Sequence, residues 1–192
     1  MRRIAIVTYA ARVKDPLATV SSRTASLTVA IFDASTRDAW VHSKAAENKA
    51  QFTGHPAEIM RGLGKGEDLV AVDVGASAGY AFELEGQSGK LEVYEVDGGF
   101  ALVAPPRAWW AEHHADHADE NAALFDDLEH VDGEELGELE LSSGKLAIVY
   151  LWDTNVPDNA TVIDASTGTY QLRKRTIDAP WGASLVVMYV TR

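Results

Sequence analysis

At 192 residues, with 46% hydrophobic and 24% charged residues, the chain has the size and composition of one globular domain able to bury a real core, and not those of a disordered segment. The absence of cysteine excludes a disulfide framework and thiolate chemistry, and no apolar run approaches the roughly 18–20 residues that span a bilayer. The formal net charge of −12 is confined to one segment: Ala111 to Leu141 holds 12 acidic residues and no Lys or Arg, and the other 29 − 12 = 17 acids balance the 17 bases.

Such an acidic patch repels nucleic acid and anionic lipid and favours a basic protein partner. Only Ile4 to Val7 follow the basic Arg2 and Arg3 before Thr8, too short for the apolar core of a signal peptide. A cytoplasmic location away from membranes is therefore expected.

In chain order, Arg3 to Tyr9 is β-branched and reads as a strand, and Asp15-Pro16 as a turn. Ser26 to Phe32 is a second strand, with Leu27, Val29 and Ile31 on one face. Residues 42–53 are polar and alanine-containing, helix or loop. Gly54-His55-Pro56 opens a short helix that Gly62 and Gly64 end. Asp68 to Val74 and Tyr80 to Leu84 form a hairpin across Gly75–Gly79, and Leu91 to Val96 and Phe100 to Ala104 form another across Asp97-Gly98-Gly99. Pro105-Pro106 breaks the pattern, and Arg107 to Leu128 reads as one helical stretch ending by Gly133. Glu138 to Leu141 alternates acid and leucine. Lys145 to Trp152 is apolar on both faces and reads as a central strand. Asp153 to Asn159 is a loop. Thr161 to Ile163, Tyr170 to Arg175 and Leu185 to Val190 complete the strands, the last running through the core.

Two blocks recur in order. Gly66–Val74 (GEDLVAVDV) aligns with Gly133–Leu141 (GEELGELEL), and Leu27–Asp33 (LTVAIFD) with Leu91–Asp97 (LEVYEVD). The recurrence predicts an internal duplication with units of about 22–86 and 87–152, followed by C-terminal strands over 153–192. The expected fold is one α+β, mostly β domain over 1–192: two related β-rich units packed as a sandwich or distorted barrel, with helices on one side.

Gly75-Ala-Ser-Ala-Gly79 matches the G-x-S-x-G of a nucleophile elbow, but that motif places its serine at a strand-to-helix turn. The strand-like Tyr80 to Leu84 favours a hairpin turn over a nucleophilic Ser77. His113 and His117 are four apart, so a continuous helix would set both imidazoles on one face for a divalent metal. The rival reading is a solvated acidic helix face. Gly62-Leu-Gly-Lys-Gly66 lacks the spacing of a phosphate loop and precedes a strand. Trp109-Trp110 points two ways, since helical neighbours diverge by about 100°; one belongs to the core and the other to a contact surface. Arg173-Lys174-Arg175, the only basic triplet, either docks on acids or stays solvated.

Gly98 to Pro105 (GGFALVAP), Trp109-Trp110, the polar helical segment after them, Ser143 to Val149 (SGKLAIV), Thr161 to Asp164 and Gly168 to Tyr170 resemble the small uncharacterised bacterial immunity proteins of toxin–immunity systems. The resemblance spans residues 88–192. It implies a binder that neutralises a partner protein, a toxin in those systems, and carries over no catalytic residue.

The sequence therefore predicts a non-catalytic, cofactor-free interaction module of immunity or inhibitor type. Its expected contact residues are Trp109, Trp110, Glu112, Asp116, Asp119, Glu120, Asp126, Asp127 and Glu129. The alternatives are a hydrolase using Ser77 or a His113/His117 metal, and an acidic mimic of nucleic acid.

Overall fold

A computed structural model of the chain describes residues 15–21, 27–40, 54–84, 89–151 and 156–192. The strand expected over 3–9 and the segment 42–53 lie outside the described residues.

The chain runs β1 (Ala18–Ser21), β2 (Leu27–Asp33), a 3₁₀ turn (Ala34–Ala39), α1 (His55–Leu63), β3 (Val70–Val74), β4 (Ser77–Leu84), β5 (Lys90–Val96) and β6 (Gly99–Ala104). It continues through α2 (Arg107–His113), a 3₁₀ turn (Ala115–His117), α3 (Ala118–Asp126), a 3₁₀ turn (Asp127–Glu129), β7 (Glu134–Leu141), β8 (Lys145–Tyr150), α4 (Val156–Asn159), β9 (Thr161–Asp164), β10 (Gly168–Asp178) and β11 (Ser184–Thr191). The single-turn α4 falls within the expected loop 153–159.

Among the described residues the strands form two sheets, in which all the pairings are antiparallel. The first has the order β1-β5-β6-β11-β10-β7 and the second β3-β4-β2-β8-β9. Among the described residues each keeps two edges, so the architecture is a sandwich and not a closed barrel.

Period-two patterning sets the layers. In β2, Leu27, Val29 and Ile31 point between the sheets, where they meet Leu102, Leu172, Met188 and Val190. Ala30 and Phe32 point outward, where Trp40, Ile59 and Leu151 cover them. In β11, Val186, Met188 and Val190 face inward. Leu185, Val187 and Tyr189 face outward against Trp110, Leu124, Phe125 and Leu128. Strands buried on both faces need cover on both. The helices accordingly lie on both outer faces of the sandwich, not on one: α1 and the Ala34–Ala39 turn over the second sheet, α2 and α3 over the first.

The duplication is not supported. Its corresponding segments pair differently. β3 and β4 form a hairpin within the second sheet, whereas β7 lies at the edge of the first sheet and β8 inside the second. The β2–β4 pairing likewise has no β5–β8 counterpart. What recurs is the alternation of acid and apolar residue after a glycine, which any strand with one solvated face can carry.

Candidate functional site

α2 starts where β6 ends. The Glu92 carboxylate on β5, 8% exposed, accepts from the backbone N–H of Arg107 (2.8 Å) and from the Tyr94 hydroxyl (2.6 Å). The first satisfies an N–H that the helix itself leaves without a partner. Burial, and then the Glu92 hydrogen bond, push the Tyr94 hydroxyl far above its ordinary pKa, so it stays a donor.

The single helix expected over 107–128 is broken at His114 (φ −134°, ψ 43°). The break lets Trp110 of α2 and Leu124 and Phe125 of α3 pack on the same outer face of the first sheet. Asn121 Nδ2 ties the break by donating to His114 O (2.8 Å) and Trp110 O (3.5 Å). Asn121 Oδ1 and Trp110 Nε1 are buried without a hydrogen-bond partner among the described residues.

Of the paired tryptophans, Trp110 was expected among the contact residues but belongs to the core, because α2 packs it onto the outer face of the first sheet. Trp110 is wholly buried and Trp109 half-buried at the edge of the same cluster. Trp109 stacks on His113 (4.6 Å between ring centroids, 16° between planes). The loop between β10 and β11 adds Trp181, which stacks on His117 (4.3 Å, 6°) and meets Trp110 edge-on (6.1 Å). His114 touches all three indoles. Trp181 had no signal in the sequence, because only the β10–β11 hairpin brings it here.

With the helix broken between them, His113 and His117 do not share a helical face; each stacks on a different tryptophan. Among the described residues, no group of three His, Asp or Glu side chains could hold a metal ion.

Ser77 is the first residue of β4, opposite Val74 across the two-residue turn Gly75-Ala76. The site is strand–turn–strand, not the strand–turn–helix of a nucleophile elbow. Both glycines of the motif have packing reasons. Gly75 adopts φ +66°, which the hairpin turn requires. At Gly79 a Cβ would lie 2.9 Å from Phe32 Cβ and 3.0 Å from Ile31 O.

The acidic segment separates into two parts. On the C-terminal side the carboxylates have partners within the fold. Arg175 bonds Asp127 (2.6 Å), Asp132 (2.9 Å) and His130 O (3.1 Å). Arg173 pairs with Glu135 (3.7 Å), Gln171 donates to Glu138 (2.8 Å) and Thr169 to Glu140 (2.7 Å), all across the β10–β7 ladder. Lys174 reaches Asp68 before β3 and so links the two sheets. The basic triplet thus docks onto acids of its own chain. Among the described strands β7 lies at the edge of its sheet, and its charged residues guard that edge.

On the N-terminal side, Glu112, Asp116, Asp119 and Glu120 are exposed and make no ion pair among the described residues. Glu129 is also exposed, and Asp126 and Asp127 are half-buried. Sequence reasoning grouped all of these in one surface. The fold assigns Asp127 to Arg175 and leaves the α2–α3 face as the open part.

Between α2 and α3 lies a cavity of about 290 Å³ walled by Arg107, Ala111, Ala115, Ala118, Asn121 and Ala122. The sequence reading missed it, since alanines carry no chemical signal until two helices set them face to face.

Comparison with family models, curated proteins and solved structures returns no match for this chain. The geometry alone therefore carries the functional argument. Among the described residues no helix is long and apolar enough to cross a membrane.

Proposed function

We propose that this protein is a non-catalytic interaction module whose acidic α2–α3 face binds a basic protein partner, in the manner of an immunity or inhibitor protein. The observation that carries the reading is the unequal use of the acidic segment. Asp127, Asp132, Glu135, Glu138 and Glu140 have partners in the fold, while Glu112, Asp116, Asp119 and Glu120, on the same layer as the half-buried Trp109, face solvent. Like charges held close together repel, so this grouping does not arise from a gain in stability. Asp119 and Glu120 do lie in the first turn of α3, where they complement the helix dipole. Asp116 lies in the first turn of the 3₁₀ segment before α3, and Glu112 has no such role. A partly exposed tryptophan on a layer that also exposes unpaired charge supports a binding surface.

The test is kinetic. The partner is isolated from source cells and identified, and its association is followed by stopped flow at low and high salt. Neutralising four carboxylates (Glu112→Gln, Asp116→Asn, Asp119→Asn, Glu120→Gln) is expected to slow low-salt association about tenfold or more and to flatten its salt dependence. An unchanged low-salt rate would sink the reading and leave the segment as a solubility feature.

A further inference from the structure

At one end of the sandwich the β5–β6 turn, the β9–β10 connection and the residue after β11 line a second cavity, of about 330 Å³. Strand alternation brings charge to it. Glu95 on β5 shares the inward face of Leu91 and Val93, and its cross-strand neighbour Phe100 belongs to the central core. Arg192 enters from the other side. Its guanidinium lies over the ring of the core residue Tyr170 (5.3 Å to the ring centroid) and donates to Thr167 O, and its backbone N–H donates to Gly98 O (3.1 Å). Tyr170 is fixed in turn, because its hydroxyl donates to Ser166 O (2.9 Å) and accepts from the Ser166 N–H (3.1 Å). Asp164, the other carboxylate of the cavity, is paired with Lys145 (3.3 Å). Glu95 and Arg192 pair neither with each other nor with any other charged side chain among the described residues. Opposite charges thus line one cavity and stay beyond ion-pair reach of each other.

We propose that this cavity binds a small zwitterion of the amino-acid class, its carboxylate on the Arg192 guanidinium and its ammonium on the Glu95 carboxylate. A ligand of one sign satisfies half of the site and is repelled by the other half. An anion meets Arg192 but faces Glu95 and Asp164, and a cation meets Glu95 but faces Arg192. A ligand carrying both signs gains a charge-assisted hydrogen bond at each end. The guanidinium is already held by Tyr170 and Thr167, so less side-chain freedom is lost when the ligand binds. The volume falls in the roughly 300–1,000 Å³ range of small-molecule sites. The site uses no residue of the α2–α3 face and stands independently of the partner-binding reading.

Alanine, β-alanine and γ-aminobutyrate, which separate the two charges by successively longer spacers, are titrated into the full chain beside acetate and methylammonium. The titrations run at neutral pH and low salt, and the backbone amide resonances of Gly98, Gly99 and Ser166 report the site. At least one zwitterion is expected to shift these amides and to bind about tenfold or more tightly than acetate or methylammonium. Arg192→Gln is expected to lower its affinity to that of methylammonium, and Glu95→Gln to that of acetate. Both side chains are exposed, so both variants are expected to fold, which thermal melts check. Neutralising Glu112, Asp116, Asp119 and Glu120 is expected to leave zwitterion binding unchanged. The proposal is overturned if no zwitterion shifts the amides at about 10 mM, enough to fill a site of millimolar Kd, or if binding survives either substitution. Acetate or methylammonium binding as tightly as the best zwitterion overturns it too, and makes the cavity a plain anion or cation site.

Discussion

Asp33 ends β2 with no exposed surface and commits both carboxylate oxygens to the surrounding chain. Oδ1 accepts from the Ser35 N–H (2.8 Å) and hydroxyl (2.5 Å), and Oδ2 from the Ser143 N–H (2.7 Å) and Ser142 hydroxyl (3.1 Å). It caps the 3₁₀ turn after β2 and clamps the connection by which β7 of one sheet becomes β8 of the other. Burial alone would raise its pKa. The hydrogen bonds from Ser35 and Ser143 outweigh burial and hold it well below the ordinary carboxylate value. A depressed folded-state pKa means that the stabilisation is fully present above the unfolded value, near 3.9, and is lost as pH falls below it. Asp33→Asn is therefore expected to cost about 2–3 kcal/mol at neutral pH and less at pH ~3. Urea unfolding at both values checks this; an equal loss at both would show that the charge is not what stabilises the clamp. Gly79 and Ser77 make a second contrast. Gly79→Ala forces a Cβ against Phe32 and is expected to cost about 1–3 kcal/mol, whereas Ser77→Ala is expected to stay within about 0.5 kcal/mol. Thermal melts of the two variants distinguish a hairpin constrained by packing from a site built around a hydroxyl.

The α2–α3 layer covers the outer face of the first sheet. Trp110→Ala removes a wholly buried side chain from the cluster beneath the helices and is expected to cost about 3–5 kcal/mol. Trp109 sits at the rim of that cluster, so Trp109→Ala is expected to cost less than half as much and, under the proposed function, to weaken binding of a partner; equal costs would make Trp109 a core residue only. The Arg175 arrangement ties this layer to β10. A double-mutant cycle between Arg175→Gln and Asp127→Asn is expected to give a coupling of about 1 kcal/mol, reduced by salt, because both side chains keep some solvent exposure. A coupling of zero would return the basic triplet to plain solvated surface. The duplication fails at this same scale: β7 shares a pattern with β3 but not its neighbours, since pairing follows from which sheet the connecting chain can reach.

As a whole the molecule is a sandwich whose central core draws side chains from both sheets, so neither sheet can keep its inner face dry alone. Unfolding is expected in one cooperative transition, with far-UV circular dichroism and tryptophan fluorescence giving coincident midpoints. Separate midpoints would show that the two sheets are independent units. Folding is expected in the millisecond-to-second range, because the central β2–β8 pairing joins Val29 to Tyr150 across most of the chain.

Alternation, glycine turns and doubly apolar runs were enough to locate the strands from β2 onward, the central position of β8 and β11, and the α+β class. They were enough because burial on one face or two leaves a period in the sequence. The concentration of charge was equally legible, since it is a property of composition. Layering was not. That helices cover both outer faces depends on which sheet each strand joins, and strand partners distant in the chain leave no local mark. Which part of the acidic segment stays unpaired was hidden for the same reason. Asp127 and Asp116 are both acids in the sequence, and only the fold brings Arg175 to the one and leaves the other in solvent. The sequence alone determined that this protein carries a charged face. The tertiary structure decided which carboxylates stay unpaired, because charge pairing arises from side chains that meet only when the chain is folded.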